Sequence, residues 1–476
     1  MCEDPGAGAG RVRSATMSDY IDDPSGRDAA LLETKDQLVE HFERGAKSPD
    51  AFRVGTEYEK VVVDRRTGRA IPFEGDRGVE RFLARMADRF GWEPQEESGR
   101  IIGLSRRGGE ITLEPGGQIE LSGAAFETLH EASAELDEHV QEVTAVAGEL
   151  DVAVLGLGIQ PLSRVDEIPW VPKKRYGIMA PYMARVGRLG HRMMKQTATV
   201  QVNLDYASES DAMRKMRVSS GLAPVINAIF ANSSVFDGEP RNFCSYRGWV
   251  WTDTDPDRCG LLPFVFSPHA GFEDYIDWAL AAPMYFVRRG KDYHDLTGIP
   301  FARFWKEGAR GLRATIGDFA LHLSTLFPET RLKTYIELRM ADSQPPESML
   351  GLSAIAKGIL YDVDCMEGAW DLVKGWTFAQ RVEVLHRTYR EGFRARGPHH
   401  RIGDLARELL DIAAEGLRRQ GRRDAAGRTE EIYLAPLEER IETGETLGER
   451  FARAFGHEGA LADTRRLVEY AGYPET

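Results

Sequence analysis

Five glutamates, Glu57, Glu59, Glu114, Glu120 and Glu337, stand where strand periodicity turns them toward one surface beside amides and cations. In GTEYEK, Glu57 and Glu59 are separated by one residue, so an extended chain projects both from the same face. In ITLEPGGQIELSG the apolar Ile111, Leu113, Ile119 and Leu121 alternate with Glu114, Gln118, Glu120 and Ser122, and the Pro115-Gly116-Gly117 insert reads as a bend or bulge that re-aims the second carboxylate. QTATVQVNLDY sets Ala198, Val200, Val202 and Leu204 against Thr197, Thr199, Gln201, Asn203 and Asp205. RLKTYIELRMAD sets Lys333, Tyr335, Glu337 and Arg339 against Thr334, Ile336, Leu338 and Met340. Carboxylates crowded on one surface repel one another unless a cation neutralises them. An all-oxygen donor set suits a hard divalent ion, and Mg²⁺ completes its shell with water and substrate phosphates. The alternative is an antiparallel sheet with one face in water, which alternates without any function. It explains each strand singly but not the recurrence of acids on several of them. No His/Cys cluster competes for a softer metal.

A second chemical signal lies in NFCSYRGWVWTDTDPDRCGLLPFVF, Asn242 to Phe266, with Arg247, Trp249, Trp251 and Arg258. Arginine offers a rigid fork of donors to a carboxylate and tryptophan a flat apolar wall, the makings of an amino-acid pocket. A surface loop held by Asp–Arg pairs is the plainer alternative. PKKRYGIMAPYM contributes Arg175 as a ligand candidate, with Lys173 and Lys174 read as exposed. Cys244 and Cys259 have no histidine in a catalytic signature and read as buried thiols, and His191 and His322 read as structural. There is no GxxxxGK[ST] loop, and GLG at Gly156 to Gly158 is too short for a dinucleotide fingerprint.

The elements that must position these groups are partly visible. Leu129, Ala132, Leu136, Val140, Val143, Ala147 and Leu150 form one stripe of an amphipathic helix, followed by a strand over Val152 to Ile159 that ends at Pro161. A helix is expected over Leu31 to Phe42, and beyond Gly351 the chain becomes mainly helical, with Asp404 as an N-cap before Leu405, Leu409 and Ile412. The expected organisation is a flexible tail over residues 1–30 with Met17 as an alternative start, a catalytic α+β core over 31–350, and a helical part over 351–476 packed on the same domain. Hydrophobic residues at 42% and charged residues at 29% fit a folded globular chain. The net charge of −14, from 61 basic and 75 acidic residues, disfavours nucleic acid and anionic membranes. Four scattered cysteines point to a reducing, cytoplasmic compartment, and no apolar run reaches the roughly 20 residues of a membrane span.

Together GTEYEK, LEPGGQIELSG with ETLH after it, MMKQTATVQVNLDY, FANSSVFDGEP, SYRGWVWTDTDPDRCGLLPFVF, PMYF and FPETRLKTYIELRMAD resemble the glutamate–cysteine ligases of plant and proteobacterial type, in order from Val54 to Asp342. The resemblance implies an α+β fold like that of glutamine synthetase: an antiparallel β-sheet curved into a funnel with surrounding helices. It implies ATP and Mg²⁺ as cofactors, and glutamate and cysteine as substrates joined through γ-glutamyl phosphate, in a monomer or homodimer. Carried over by position, Glu57, Glu59, Glu114, Glu120 and Glu337 would bind Mg²⁺, and Gln201, Lys333 and Arg339 the nucleotide. Arg339 and Glu59 would act on the transferring phosphoryl group. Arg175, Thr199, Asn203, Arg247, Trp251 and Arg258 would bind substrate. The chain departs from the family at Met340, where glycine is usual, and in the segment around Pro345-Pro346. These departures leave open a different amine acceptor, or the same activity feeding ergothioneine synthesis.

Overall fold

Alternating apolar and polar residues build nine strands of one sheet: β1 Val54–Asp64, β2 Glu93–Glu97, β3 Arg100–Arg106, β4 Gly109–Leu113, β5 Ile119–Ser122, β6 Val152–Leu155, β7 Thr199–Leu204, β8 Thr330–Leu332 and β9 Ile336–Asp342. The computed structural model describes residues 29–455 and 463–474. The tail expected over residues 1–30, Met17 included, thus falls almost wholly outside the described residues. The strand order is β8-β9-β7-β1-β5-β4-β3-β2, with β6 on the far end of β1, and every pair is antiparallel. β1 holds the site together, because its first half lies between β7 and β5 while Val61–Asp64 takes β6.

Six helices matter for the site: α1 Leu129–Leu150, α2 Lys174–Val186, α3 Glu209–Phe230, α4 Tyr246–Trp251, α5 Gly351–Leu360 and α6 Ile402–Gln420. α1 spans the residues its apolar spacing predicts, and a capping box starts it: Glu131 N–H donates to Thr128 Oγ1 (3.2 Å) and Thr128 N–H to Glu131 Oε2 (3.0 Å). α6 begins at Ile402, so Asp404 sits in its first turn instead of capping it, where a carboxylate still meets the positive helix end. The first helix, Asp36–Glu43, is shorter than expected, because Leu31 bridges to Thr315 and Leu32 N–H bonds the Ala314 carbonyl. Behind the sheet, α3 packs on β9 and α5 on β7, and the apolar faces of α5 and α6 join the same core as the strands. Among the described residues no helix is long and apolar enough to cross a membrane.

Two expected single strands are hairpins. Residues 109–122 reverse at Glu114–Gln118, where Glu114 N–H bonds the Gln118 carbonyl (3.0 Å) and Gly117 N–H the Glu114 carbonyl (2.9 Å). Both glycines are needed there: Gly117 has φ +84°, and a Cβ on Gly116 would lie 2.1 Å from the Lys195 carbonyl oxygen. Residues 330–342 reverse at Lys333–Tyr335, so that Arg331 faces Glu337 across β8 and β9. Between Leu338 and Ala341 the register with β7 slips, since these two residues face Val202 and Val200, and β9 carries a bulge there.

The buried face of α1 also carries a titrating group. Glu135 Oε1 accepts from Ala124 N–H (3.0 Å), and burial, reinforced by Glu138, pushes its carboxyl from 4.5 up to about 7. The folded protein keeps this proton after the unfolded chain has lost it, so stability falls as pH rises through that window. Glu135→Gln keeps the acceptor and removes the titration. Its melting temperature relative to wild type is expected to improve between about pH 4.5 and about pH 8. A difference unchanged across melts at the two pH values would refute the shift.

Candidate active site

The sheet's polar face is not open to water. Thr199, Gln201 and Asn203 are as buried as Val200 and Val202 behind them, and the face looks into a cavity of about 780 Å³, within the range of small-molecule sites. Glu57, Glu59, Glu114 and Glu120 line it, with Thr199 and Gln201 beside them; Lys333, Arg339, Arg247, Trp251 and Arg175 complete the expected residues on its walls.

Strand register makes the acids crowd. Glu59 and Glu120 are direct cross-strand partners on β1 and β5, an arrangement that like charges disfavour. Thr199 N–H donates to Glu59 Oε2 (2.9 Å), Asn203 Nδ2 to Glu57 Oε1 (2.9 Å) and Thr112 Oγ1 to Glu120 Oε2 (2.9 Å). Burial, with the charges of Glu337 and Glu120, pushes the Glu57 carboxyl up to about 8. Burial and the charges of Glu114 and Glu120 carry Glu59 well above its ordinary value, and burial and Glu114 raise Glu120. A hard cation would let these acids ionise together, and their oxygens are the right donors for one. Among the described residues no three acidic, imidazole or thiol groups form a complete metal cage. That fits an ion held by one or two carboxylates and finished by water and phosphate oxygens.

Three expected site residues do not line the cavity. Glu337, expected as a metal ligand, is fully buried and holds three cations: Arg331 through Nη2–Oε1 (2.6 Å) and Nε–Oε2 (3.0 Å), Lys333 through Nζ–Oε2 (3.3 Å), and Arg339 through Nη1. Burial alone would raise its carboxyl, but Arg331, Lys333 and Arg339 hold it below the ordinary range. Asn203, expected at the substrate, orients Glu57 instead. Arg258, also expected at the substrate, is fully buried. Its Nε donates to Asp255 (2.6 Å), Nη1 to the Thr325 carbonyl (3.1 Å) and Nη2 to the Pro283 carbonyl (2.6 Å), and it stacks over Tyr285 at 4.0 Å. A guanidinium so fully engaged ties loops together and has little left for a ligand.

Arg247 rides on the short helix α4, which Ser245 caps by accepting from Gly248 N–H (3.1 Å). Its Nη2 donates to the Arg339 carbonyl (2.9 Å), and its guanidinium lies 6.0 Å from the Trp251 ring. Arg339 in turn donates through Nη1 to Gln201 Oε1 as well as to Glu337.

Sequence reasoning passed over several cations on the cavity wall, Arg331 and Lys173 among them. Arg331 shares the odd parity of Lys333, Glu337 and Arg339, a signal that was present. Lys173, expected to be exposed, is buried: its Nζ donates to the Leu113 carbonyl (2.9 Å), and burial with the charge of Arg175 pushes its ammonium down to about 7. Met340 is 2% exposed, lies in the main core and does not line the cavity, which removes the structural ground for linking it to a changed acceptor. His191 and His322 reach the carbonyls of Ala180 and Ala279 (2.8 Å each), and burial pushes the Cys244 thiol up to about 12, as befits structural groups.

The family model described as glutamate-cysteine ligase family 2 (GCS2) matches residues 53–469. The chloroplastic glutamate–cysteine ligase of Arabidopsis thaliana is 40% identical over 428 residues, covering 89% of this chain and 80% of the plant protein. Glutamate–cysteine ligase A of Oryza sativa subsp. japonica, also named chloroplastic, is 39% identical over 454 residues, 95% and 90% of the two chains. The crystal structure of Francisella tularensis glutamate–cysteine ligase in complex with AMP matches with a TM-score of 0.52 over 89% of this chain and 90% of that one, at 12% identity, a likeness of fold. The α+β, glutamine synthetase-like architecture is thereby shown. The cytoplasmic location is overturned by the chloroplastic names of the relatives. Sparse cysteines report a reducing environment, which more than one compartment provides.

Proposed function

The chain belongs to the glutamate-cysteine ligase family 2, and from that premise we propose that its cavity joins the γ-carboxylate of glutamate to the amine of cysteine at the expense of ATP, making γ-glutamylcysteine, the first step of glutathione synthesis. Glutamate's γ-carboxylate attacks the γ-phosphorus and ADP leaves; the cysteine amine then attacks the resulting acyl phosphate and releases phosphate. The observation that carries this reading is the pairing on one wall of opposed carboxylates, Glu59 and Glu120, with the cations Arg339 and Lys333. Such a wall suits a polyanion that arrives with its own metal.

In this reading one or two of Glu57, Glu59, Glu114 and Glu120 would hold a Mg²⁺ ion, which when bound would neutralise charge on the transferring phosphoryl oxygens. Arg339, kept in place by Glu337 and Gln201, faces the same oxygens. Arg247 offers its guanidinium to glutamate beside the flat wall of Trp251, with Arg175 also lining the cavity.

The direct test incubates the protein with ATP, Mg²⁺, glutamate and a panel of amines while phosphate and product mass are followed. Phosphate release that needs glutamate and is fastest with cysteine is expected; equal release without glutamate, or a better amine than cysteine, would overturn the reading. For Arg247→Ala we expect the KM for glutamate to rise about thirtyfold, the worth of a charge-assisted hydrogen bond of about 2 kcal/mol, with the KM for ATP nearly unchanged. A selective rise for ATP would move Arg247 to the nucleotide.

A further inference from the structure

Asp342 closes β9, three residues beyond Arg339 and past the bulge, with its backbone in register with the cavity-lining Thr199. Its carboxylate is fully buried, and its three hydrogen-bond donors are all neutral. Asn232 N–H (2.8 Å) and Ser233 Oγ (2.6 Å) reach Oδ2, and Ser245 Oγ (2.9 Å) reaches Oδ1. There is no slack around it, since a Cβ on Gly158 would lie 2.6 Å from the Asp342 Cβ.

Both serines pass the constraint on. Ser233 Oγ accepts from the backbone N–H of Arg247 (2.9 Å), and Ser245 Oγ accepts from Gly248 N–H (3.1 Å). A hydroxyl has one proton and two lone pairs. An ionised carboxylate, which only accepts, takes both hydroxyl protons and leaves the lone pairs pointing at the first turn of α4. The helix that carries Arg247 thus hangs from Asp342 through two hydroxyls. At the other end of the same side chain, Arg247 Nη2 bonds the carbonyl of Arg339, at the bulge of the strand that Asp342 ends. Asn227 Nδ2 takes the next carbonyl, that of Met340 (3.3 Å). Arg247 is itself buried, and Asp342 is foremost among the acids that offset the loss of its hydration.

We propose that Asp342 is a positioning residue: through Ser233 and Ser245 it fixes α4 so that the Arg247 guanidinium stands beside Arg339, which sets the distance between the glutamate-binding and phosphoryl-binding groups. The proposal rests on the reading in which Arg247 holds glutamate.

Asp342→Asn has the right size but puts an NH₂ donor where one of the two serines needs an acceptor; Ser233→Ala removes one link at little cost to packing, and Ser233→Thr restores the hydroxyl. With glutamate and ATP varied separately, Asp342→Asn and Ser233→Ala are each expected to raise the KM for glutamate about tenfold and leave that for ATP within about twofold, while Ser233→Thr stays near wild type. Melting temperature is measured alongside, and Ser233→Ala, which strands the buried Arg247 N–H, is expected to lower it modestly while the KM for ATP holds. A glutamate KM unchanged in both variants would overturn the proposal, as would both KM values and melting temperature moving together. Arg247→Ala run in parallel separates the two readings. If it leaves the glutamate KM unchanged, the role of Arg247 falls and this proposal with it. If it raises that KM while Asp342→Asn and Ser233→Ala do not, the Asp342 proposal alone fails.

Discussion

Glu59→Gln is expected to lower kcat at least about a hundredfold, the usual cost of removing a preorganised charge from a phosphoryl or metal site, while leaving the metal-free fold intact or firmer. The amide keeps the oxygen that accepts from Thr199 N–H, so the local geometry has no reason to change. What disappears is a charge placed directly opposite Glu120 on β5. Because burial and the neighbouring acids raise the Glu59 carboxyl well above its ordinary value, its ionisation works against the fold at neutral pH. A neutral side chain therefore relieves the apo protein. Steady-state rates over a Mg²⁺ series and thermal melts without metal check both halves. A kcat within about threefold of wild type at saturating Mg²⁺ would remove Glu59 from the chemistry.

Glu337→Gln has the opposite signature. The substitution leaves Arg331, Lys333 and Arg339 gathered around a group that no longer carries charge. Breaking a buried ion cluster by neutralising the anion at its centre typically costs about 3–5 kcal/mol, so a large drop in the urea midpoint is expected. The sign with pH is also opposite to that of Glu135. A carboxyl held below its ordinary value stabilises the fold at neutral pH and loses that contribution as acid protonates it, so the gap between wild type and variant should shrink toward low pH. Adding Arg331→Met removes one stranded cation, and the double variant should recover part of the loss. A midpoint unchanged in Glu337→Gln would mean that the three cations are not held by this carboxylate.

Strand parity was legible because it needs nothing beyond neighbouring peptide units. Glu57 and Glu59 share a face in any extended chain, and so do Thr199 and Gln201. The parity of Arg331, Lys333, Glu337 and Arg339 even survives a turn that sequence reasoning missed, because the hairpin pairs Arg331 with Glu337, and odd residues face odd ones. α1 was legible for the same reason, because its apolar stripe is local; its equally local Thr128–Glu131 cap went unread. The family motifs pointed to the ligase chemistry, since they consist of these same local runs.

What lies in front of a polar face is a different kind of question. Gln201 and Asn203 share a face of β7, yet Gln201 meets the cavity while Asn203 is spent on Glu57 of the neighbouring strand. Glu337 and Arg339 share a face of β9, yet the arginine lines the cavity and covers the glutamate. Arg258 looked like a ligand in the sequence and became a tie, because the carbonyls of Thr325 and Pro283 arrive from distant parts of the chain to take its protons. Local sequence sets which side of a strand a residue occupies, since that follows from backbone geometry alone. Whether that side meets water, a substrate cavity or an opposing charge depends on contacts between segments far apart in the chain, and only the tertiary structure decides it.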